Sequence, residues 1–238
     1  YGQTGSGKSY SMMGYGEDKG IIPRAVAKIF DRINHAGGSE EEGKVDGKKG
    51  DGDDEITYHV ECSMLEIYNE QIRDLFSSVP RNRLPKGGLK VRDSAASGPF
   101  VMGLTKNAVK NYEDVEKLMD LGAAARTVAA TAMNATSSRA HTVFTLILTQ
   151  QSKSSVTGKV MKKSSKINLV DLAGSERANS TGATGDRLKE GCAINQSLSS
   201  LGNVINALAK QSENSGGGSR GDGKMKKKKK KIMIPYRA

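Results

Sequence analysis

Residues 2–9 of the chain, Gly2-Gln3-Thr4-Gly5-Ser6-Gly7-Lys8-Ser9, match GxxxxGK[ST] at every fixed position, and no other feature restricts the fold so strongly. Glycines at these places let backbone N–H groups turn inward around phosphate oxygens, and a helix beginning near Lys8 adds the positive end of its dipole. Gly2, Gln3, Thr4, Gly5, Ser6, Gly7, Lys8 and Ser9 are therefore the expected nucleotide cradle. Within it Lys8 is expected to reach the β- and γ-phosphates and the Ser9 hydroxyl to ligate Mg²⁺. A loop of this kind joins a strand to a helix. Tyr1 stands where that strand ends, so the chain reads as a fragment.

The rest of the pattern fits an α/β sheet. Val26, Ile29, Phe30 and Ile33 recur at helical spacing within 21–34, with Pro23 tolerated in the first turn. Residues 56–68, 142–150 and 166–171 are rich in β-formers and predict strands. Val115, Leu118 and Met119 mark one face of a helix over 112–121. Ile194, Leu198, Leu201, Ile205 and Leu208 mark another, over 191–209. Strands interleaved with helices predict a central, mostly parallel or mixed sheet covered on both faces. Residues 37–55 and 211–231, poor in apolar side chains, read as two disordered loop insertions in one domain spanning 1–238.

A phosphate loop needs a second group for its metal, at the end of a neighbouring strand. Asp171 meets that need, because Lys166-Ile167-Asn168-Leu169-Val170 leads straight into it and Leu172-Ala173-Gly174 follows. Asp-x-x-Gly lets the carboxylate hold a Mg²⁺-bound water while the Gly174 N–H approaches the γ-phosphate. These features define a nucleoside triphosphatase without fixing its class. The Asn-Lys-x-Asp motif with which small GTPases read their base is absent from the sequence.

Two further stretches narrow the class. Asn134-Ala135-Thr136-Ser137-Ser138-Arg139-Ala140-His141 precedes one predicted strand, and Asp171-Leu172-Ala173-Gly174-Ser175-Glu176 follows another. With the loop at 2–9, they closely resemble the three nucleotide-contacting motifs of kinesin motor domains. Myosins carry an aromatic residue where Ser175 stands and lack the His. Glu66-Ile67-Tyr68-Asn69-Glu70, Ala125 to Thr131, Ile194 to Leu198 and Ile234-Pro235-Tyr236-Arg237 agree with the kinesin pattern, so the resemblance spans essentially the whole chain. It implies an incomplete kinesin motor fold that lacks both ends of the domain, and it implies ATP with Mg²⁺ as nucleotide and cation.

The resemblance also implies roles. Ser138 would approach the metal and γ-phosphate, and Ser137 would help hold the attacking water. Arg139 and Glu176 would close an ion pair when the γ-phosphate is present, with Glu176 accepting a proton through a water relay. Gly174 completes this catalytic set. Tyr10 occupies the position from which kinesins set a ring against adenine; packing is the alternative for it. Ala132, Ala135 and Ala140 depart from the usual Asn, polar residue and Ser, which predicts hydrolysis of reduced efficiency.

Charge points to the partner. Lys and Arg number 37 against 26 Asp and Glu, a formal net charge of +11. Composition leaves nucleic acid, membrane and acidic protein all open. Lys226, Lys227, Lys228, Lys229, Lys230 and Lys231 form an unbroken run. A Lys-rich stretch here resembles the vesicle-transporting kinesin-three subfamily, and it implies a tether to the acidic tails of tubulin with steep salt dependence. A plain solvated charge run and a nuclear-import or nucleic-acid patch are the other readings. The lack of aromatics among the lysines weighs against nucleic acid. Tyr236 and Arg237 would open the next microtubule-facing helix.

Taken together, the resemblance implies a microtubule-stimulated ATPase motor in which the 191–209 helix relays nucleotide state to the track. The alternative is a nucleotide-binding microtubule-associated protein with impaired turnover. Cys62 and Cys192, far apart and without metal-ligand spacing, suit reduced and mostly buried thiols of a cytoplasmic, cytoskeleton-associated protein. No apolar run approaches the ~20 residues of a membrane span.

Overall fold

The computed structural model describes residues 1–37, 55–79, 83, 87–95, 98–133, 137–176, 185–216 and 233–236. It divides into two compact units, Tyr1–Gly174 and Ser175–Ala238.

In the first unit, a short helix α1 (Lys8–Met13) leads into a small hairpin, β1 (Gly14–Tyr15) and β2 (Asp18–Lys19), and then helix α2 (Ile21–Gly37). The main sheet contains β3 (Glu55–Tyr68), β4 (Gln71–Asp74), β7 (Asn107–Val109), β8 (His141–Lys153) and β9 (Val160–Asp171). A separate hairpin is made by β5 (Lys90–Ser94) and β6 (Gly98–Met102). Helix α3 (Tyr112–Met133) lies between β7 and β8 in sequence.

The main sheet runs β4-β3-β8-β9, with β7 also paired to β3. The α/β class is as expected. Within the sheet expected to be mostly parallel or mixed, every described ladder is antiparallel. The local cause is turn chemistry. Asn69 and Glu70, with φ of 47° and 62°, form the two-residue connection that folds β4 back on β3. At the far end, the Ser154 and Gly158 amides close the turn that folds β9 back on β8.

Alternation along the strands builds the core. Val60, Cys62 and Met64 of β3 face the same side as Phe144 and Leu146 of β8, and all five are at most 4% exposed. Ile22, Val26, Phe30 and Ile33 of α2 join the same cluster, as do Val115 and Met119 of α3. Gly122 brings α3 close to the sheet: a Cβ there would lie 2.6 Å from Met64 Sδ. The start of α3 is capped, since Asn111 Oδ1 accepts from the Asp114 amide and Asp114 Oδ2 accepts from the Lys110 amide.

The second unit contains α4 (Asp186–Gly216). The helix expected over 191–209 thus begins earlier and extends through 211–216, which the sequence assigned to a loop. Its apolar stripe is partly open, with Leu201, Ile205 and Leu208 exposed. The rest of the two expected insertions, 38–54 and 217–231, lies outside the described residues. Among the described residues no helix is long and apolar enough to cross a membrane.

Candidate functional site: a phosphate loop joined to a strand-end carboxylate

The loop ahead of α1 depends on backbone that only glycine adopts readily. Gly5 and Gly7 have φ of 81° and 80°, and Gly7 is the helix N-cap. A reverse turn closes the loop, with the Ser6 amide donating to the Gln3 carbonyl at 3.2 Å. Lys8 Nζ donates to the same carbonyl at 2.8 Å. Gly2 sits so close to Ser6 that a Cβ would meet Ser6 Oγ at 2.6 Å.

Ser9 and Asp171, separated by 162 positions, meet directly: Ser9 Oγ donates to Asp171 Oδ2 at 2.6 Å. Asp171 ends β9 opposite Thr142 and is 7% exposed. Its other oxygen, Oδ1, is buried and has no hydrogen-bond partner among the described residues. A buried acceptor in that condition, beside a hydroxyl, fits a carboxylate that holds water on a divalent cation. Among the described residues no group of three or more His, Cys, Asp or Glu is placed to hold a metal ion. A cation at Ser9 and Asp171 would therefore take most of its ligands from phosphate and water, as Mg²⁺ does.

Ser137, Ser138 and Arg139 form a 3-10 turn immediately before β8. That turn and the segment after β9 are tied by two consecutive amides. The Ala173 N–H donates to His141 Nδ1 at 3.0 Å, and the Gly174 N–H donates to the Ser138 carbonyl at 2.7 Å. The single Gly174 amide hydrogen is committed to Ser138 here, so serving a phosphate means leaving that acceptor. The first bond requires a neutral imidazole, and burial pushes His141 below its ordinary range, against the charges of Glu70 and Asp171.

The other expected residues are more scattered. Tyr10 is half exposed; its hydroxyl donates to Asp18 Oδ2 at 3.0 Å and its ring lies 5.8 Å from that of Tyr15. Arg139 belongs to the first unit and Glu176 to the second. Tyr236 is exposed. Lys226 to Lys231 and Arg237 lie outside the described residues, as does Ala135. Ala140 is buried with Tyr68.

Two features escaped the sequence reading. One is the acceptor role of His141. The other is Glu66, a buried carboxylate within 3.7 Å of both Arg73 Nη1 and Arg126 Nε. Arg73 faces it across the β3–β4 ladder and stacks 4.9 Å over Tyr68. Period-two alternation carried the signal, since Glu66 shares the inward face of Cys62 and Met64 and an acid there demands basic partners.

Comparisons with known proteins agree with this geometry. The family model described as the kinesin motor domain matches residues 1–238. "Kinesin-related protein 1" of Dictyostelium discoideum is 50% identical over 237 residues, covering 100% of this chain and 9% of that protein. "Kinesin-like protein KIF1A" of Rattus norvegicus is 50% identical over 239 residues, covering 100% of this chain and 12% of that protein. The likeness to the kinesin-three subfamily holds, with "Kinesin-like protein unc-104" of Caenorhabditis elegans at 48% identity over 240 residues, 100% of this chain and 13% of that protein. The chain thus spans only about an eighth or less of these relatives.

Among solved structures, a KIF14 dimer with AMP-PNP in complex with a microtubule matches with TM-score 0.72 and 44% identity, covering 93% of this chain and 56% of that one. The structure of a fast kinesin matches with TM-score 0.69 and 42% identity, covering 89% and 53%. A family match over the full 238 residues, joined to a phosphate loop that meets its strand-end carboxylate, makes the chain a member of the kinesin motor domain family.

Proposed function

We propose that the chain is the nucleotide-hydrolysing part of a microtubule motor, and that it binds ATP with Mg²⁺ at the Ser9–Asp171 junction. The observation that carries this reading is the 2.6 Å hydrogen bond between those two side chains, which brings the phosphate loop and the Asp171-Leu172-Ala173-Gly174 segment to one point. Bound Mg²⁺ would draw charge from the phosphate oxygens and lower the cost of breaking the terminal bond. The chain supplies the surroundings. Gly2 to Gly7 offer amides to phosphate, Lys8 exchanges the Gln3 carbonyl for phosphate oxygens, and Ser9 and Ser138 approach the metal while Asp171 holds one of its waters.

Ser137 positions the attacking water, and Glu176 takes up its proton through a water relay. The Gly174 amide leaves Ser138 for the terminal phosphate, and the polypeptide beyond it carries that change into α4. The Lys226–Lys231 run, with Tyr236 and Arg237, meets the acidic surface of the microtubule. The microtubule complex of KIF14 supports this partner. The whole assembly would work in the cytoplasm as one motor domain, and nothing in the reading calls on nucleic acid or a membrane.

The test is phosphate release by the full-length protein as microtubules are added. A rate that rises and saturates supports the motor. A flat rate with intact nucleotide binding favours the alternative, a microtubule-associated binder with impaired turnover. Stimulation by DNA or RNA instead of microtubules overturns both.

A further inference from the structure

The β8–β9 ladder ends where Thr142 faces Asp171, yet the chain beyond β9 stays tied to β8 and to the turn ahead of it. Ala173 and Gly174 are adjacent, and their two N–H groups go to acceptors of different kinds. The Ala173 amide reaches the His141 side chain; the Gly174 amide reaches the Ser138 backbone carbonyl. His141 is the anchored one of the two. It is the first residue of β8, faces Ile67 in the ladder with β3, and is 9% exposed. Ser138 lies outside the sheet, in the short turn ahead of it. Ala173 is fully buried, so its amide cannot turn to water for another partner.

We propose that His141 is a positioning residue for phosphate sensing: its Nδ1 holds the Ala173 amide fixed while the Gly174 amide, one peptide further on, changes acceptor between Ser138 and a terminal phosphate. The proposal rests on the reading that Gly174 serves the phosphate. Its physical content is that the switch is confined to one peptide. With Ala173 held, reorienting the Gly174 amide asks only the dihedrals around Ala173 and Gly174 to move, and glycine tolerates the widest range of them. Without the acceptor, Asp171-Leu172-Ala173-Gly174 loses its second tie to β8. The Gly174 amide then has to be ordered by the nucleotide itself, which takes from the affinity for a triphosphate and leaves a diphosphate unaffected.

Side-chain geometry supplies the test. Asparagine places its Oδ1 where the histidine has Nδ1, whereas the longer glutamine reaches to the Nε2 position. His141→Asn, His141→Gln and His141→Ala are made in the full-length protein, and AMP-PNP and ADP affinities are measured alongside kcat and KM for ATP. The glutamine and alanine variants are expected to lose about tenfold in the AMP-PNP to ADP affinity ratio, the scale of outer-shell substitutions. ADP affinity is expected to stay within about twofold, because the phosphate loop is untouched. His141→Asn is expected to rescue the ratio.

A wild-type ratio in both the glutamine and alanine variants overturns the proposal, and so does an asparagine variant as impaired as alanine. If the alanine variant does not fold, the asparagine–glutamine comparison decides alone. Gly174→Pro, which removes the amide hydrogen, separates this from the reading beneath it. An unchanged ratio there removes the phosphate role of Gly174 and the proposal with it. A lowered ratio there, with unchanged ratios in the His141 variants, overturns the pivot alone.

Discussion

Ser9 Oγ and Asp171 Oδ2 lie 2.6 Å apart, one at the start of the helix after the phosphate loop and the other at the end of a strand 162 positions later. Under the proposed function, the contact joins the two groups that would stand beside a Mg²⁺-nucleotide. Asp171→Asn keeps the shape and removes the charge. It is expected to lower Mg²⁺-dependent ATP turnover by about 10–100-fold, the range for a residue that acts through a metal-bound water. A variant with wild-type turnover would remove Asp171 from the site.

Glu66 sits buried between Arg73 and Arg126, so neutralising it leaves two guanidinium groups without their shared counter-charge. Glu66→Gln is expected to destabilise the domain by about 3–5 kcal/mol, the usual cost of breaking a buried pair by one partner. The check is the urea midpoint of the domain's unfolding transition, which must fall.

The two cysteines are expected to differ sharply as nucleophiles. Burial pushes the Cys62 thiol up to about 12, whereas Cys192, expected to be buried, is exposed on α4. Maleimide at neutral pH labels Cys192 in the native protein and Cys62 only after denaturation, because the thiolate is the reactive form. Peptide mapping of the label distinguishes them, and rapid native labelling at Cys62 would contradict the packing of β3.

Acid is expected to weaken the fold through His141. Its folded-state pKa lies below the ordinary 6.5 because burial disfavours the cation. The unfolded chain therefore binds the proton first. The stabilising contribution is complete above pH 6.5, falls as the pH drops from there through the lowered folded value, and is level below it. The negative charges of Glu70 and Asp171 act the other way and moderate the shift. Urea titrations at several pH values check this: His141→Asn must flatten the pH dependence of stability relative to wild type.

Replacing Lys226 to Lys231 with alanine is expected to weaken microtubule attachment and to flatten its dependence on salt, since six charges leave the electrostatic contact. Cosedimentation across a salt series measures both. An unchanged slope would assign the run to solvated surface.

Local pattern made most elements legible. The strand expected over 56–68 spans 55–68, and the helix expected over 21–34 spans 21–37, because apolar spacing and burial agree there. The helix marked by Val115, Leu118 and Met119 continues to Met133, since the alanine-rich stretch beyond favours helix without showing an apolar face. Strand direction was less legible. The two-residue turn at Asn69-Glu70 is readable in principle, but β3–β8 pairing joins segments far apart and leaves no local trace.

The site divides the same way. Motif spacing announced Lys8, Ser9 and Asp171. The ties from Ala173 to His141 and from Gly174 to Ser138 are made by backbone amides, whose partners no side-chain motif records.

The most direct measurement is cosedimentation of the full-length protein with microtubules in AMP-PNP and in ADP. If the nucleotide held at Ser9 and Asp171 governs the grip on the track, binding is tight with the triphosphate analogue and weak with the diphosphate. Equal affinity in the two nucleotides, with both bound, would contradict it.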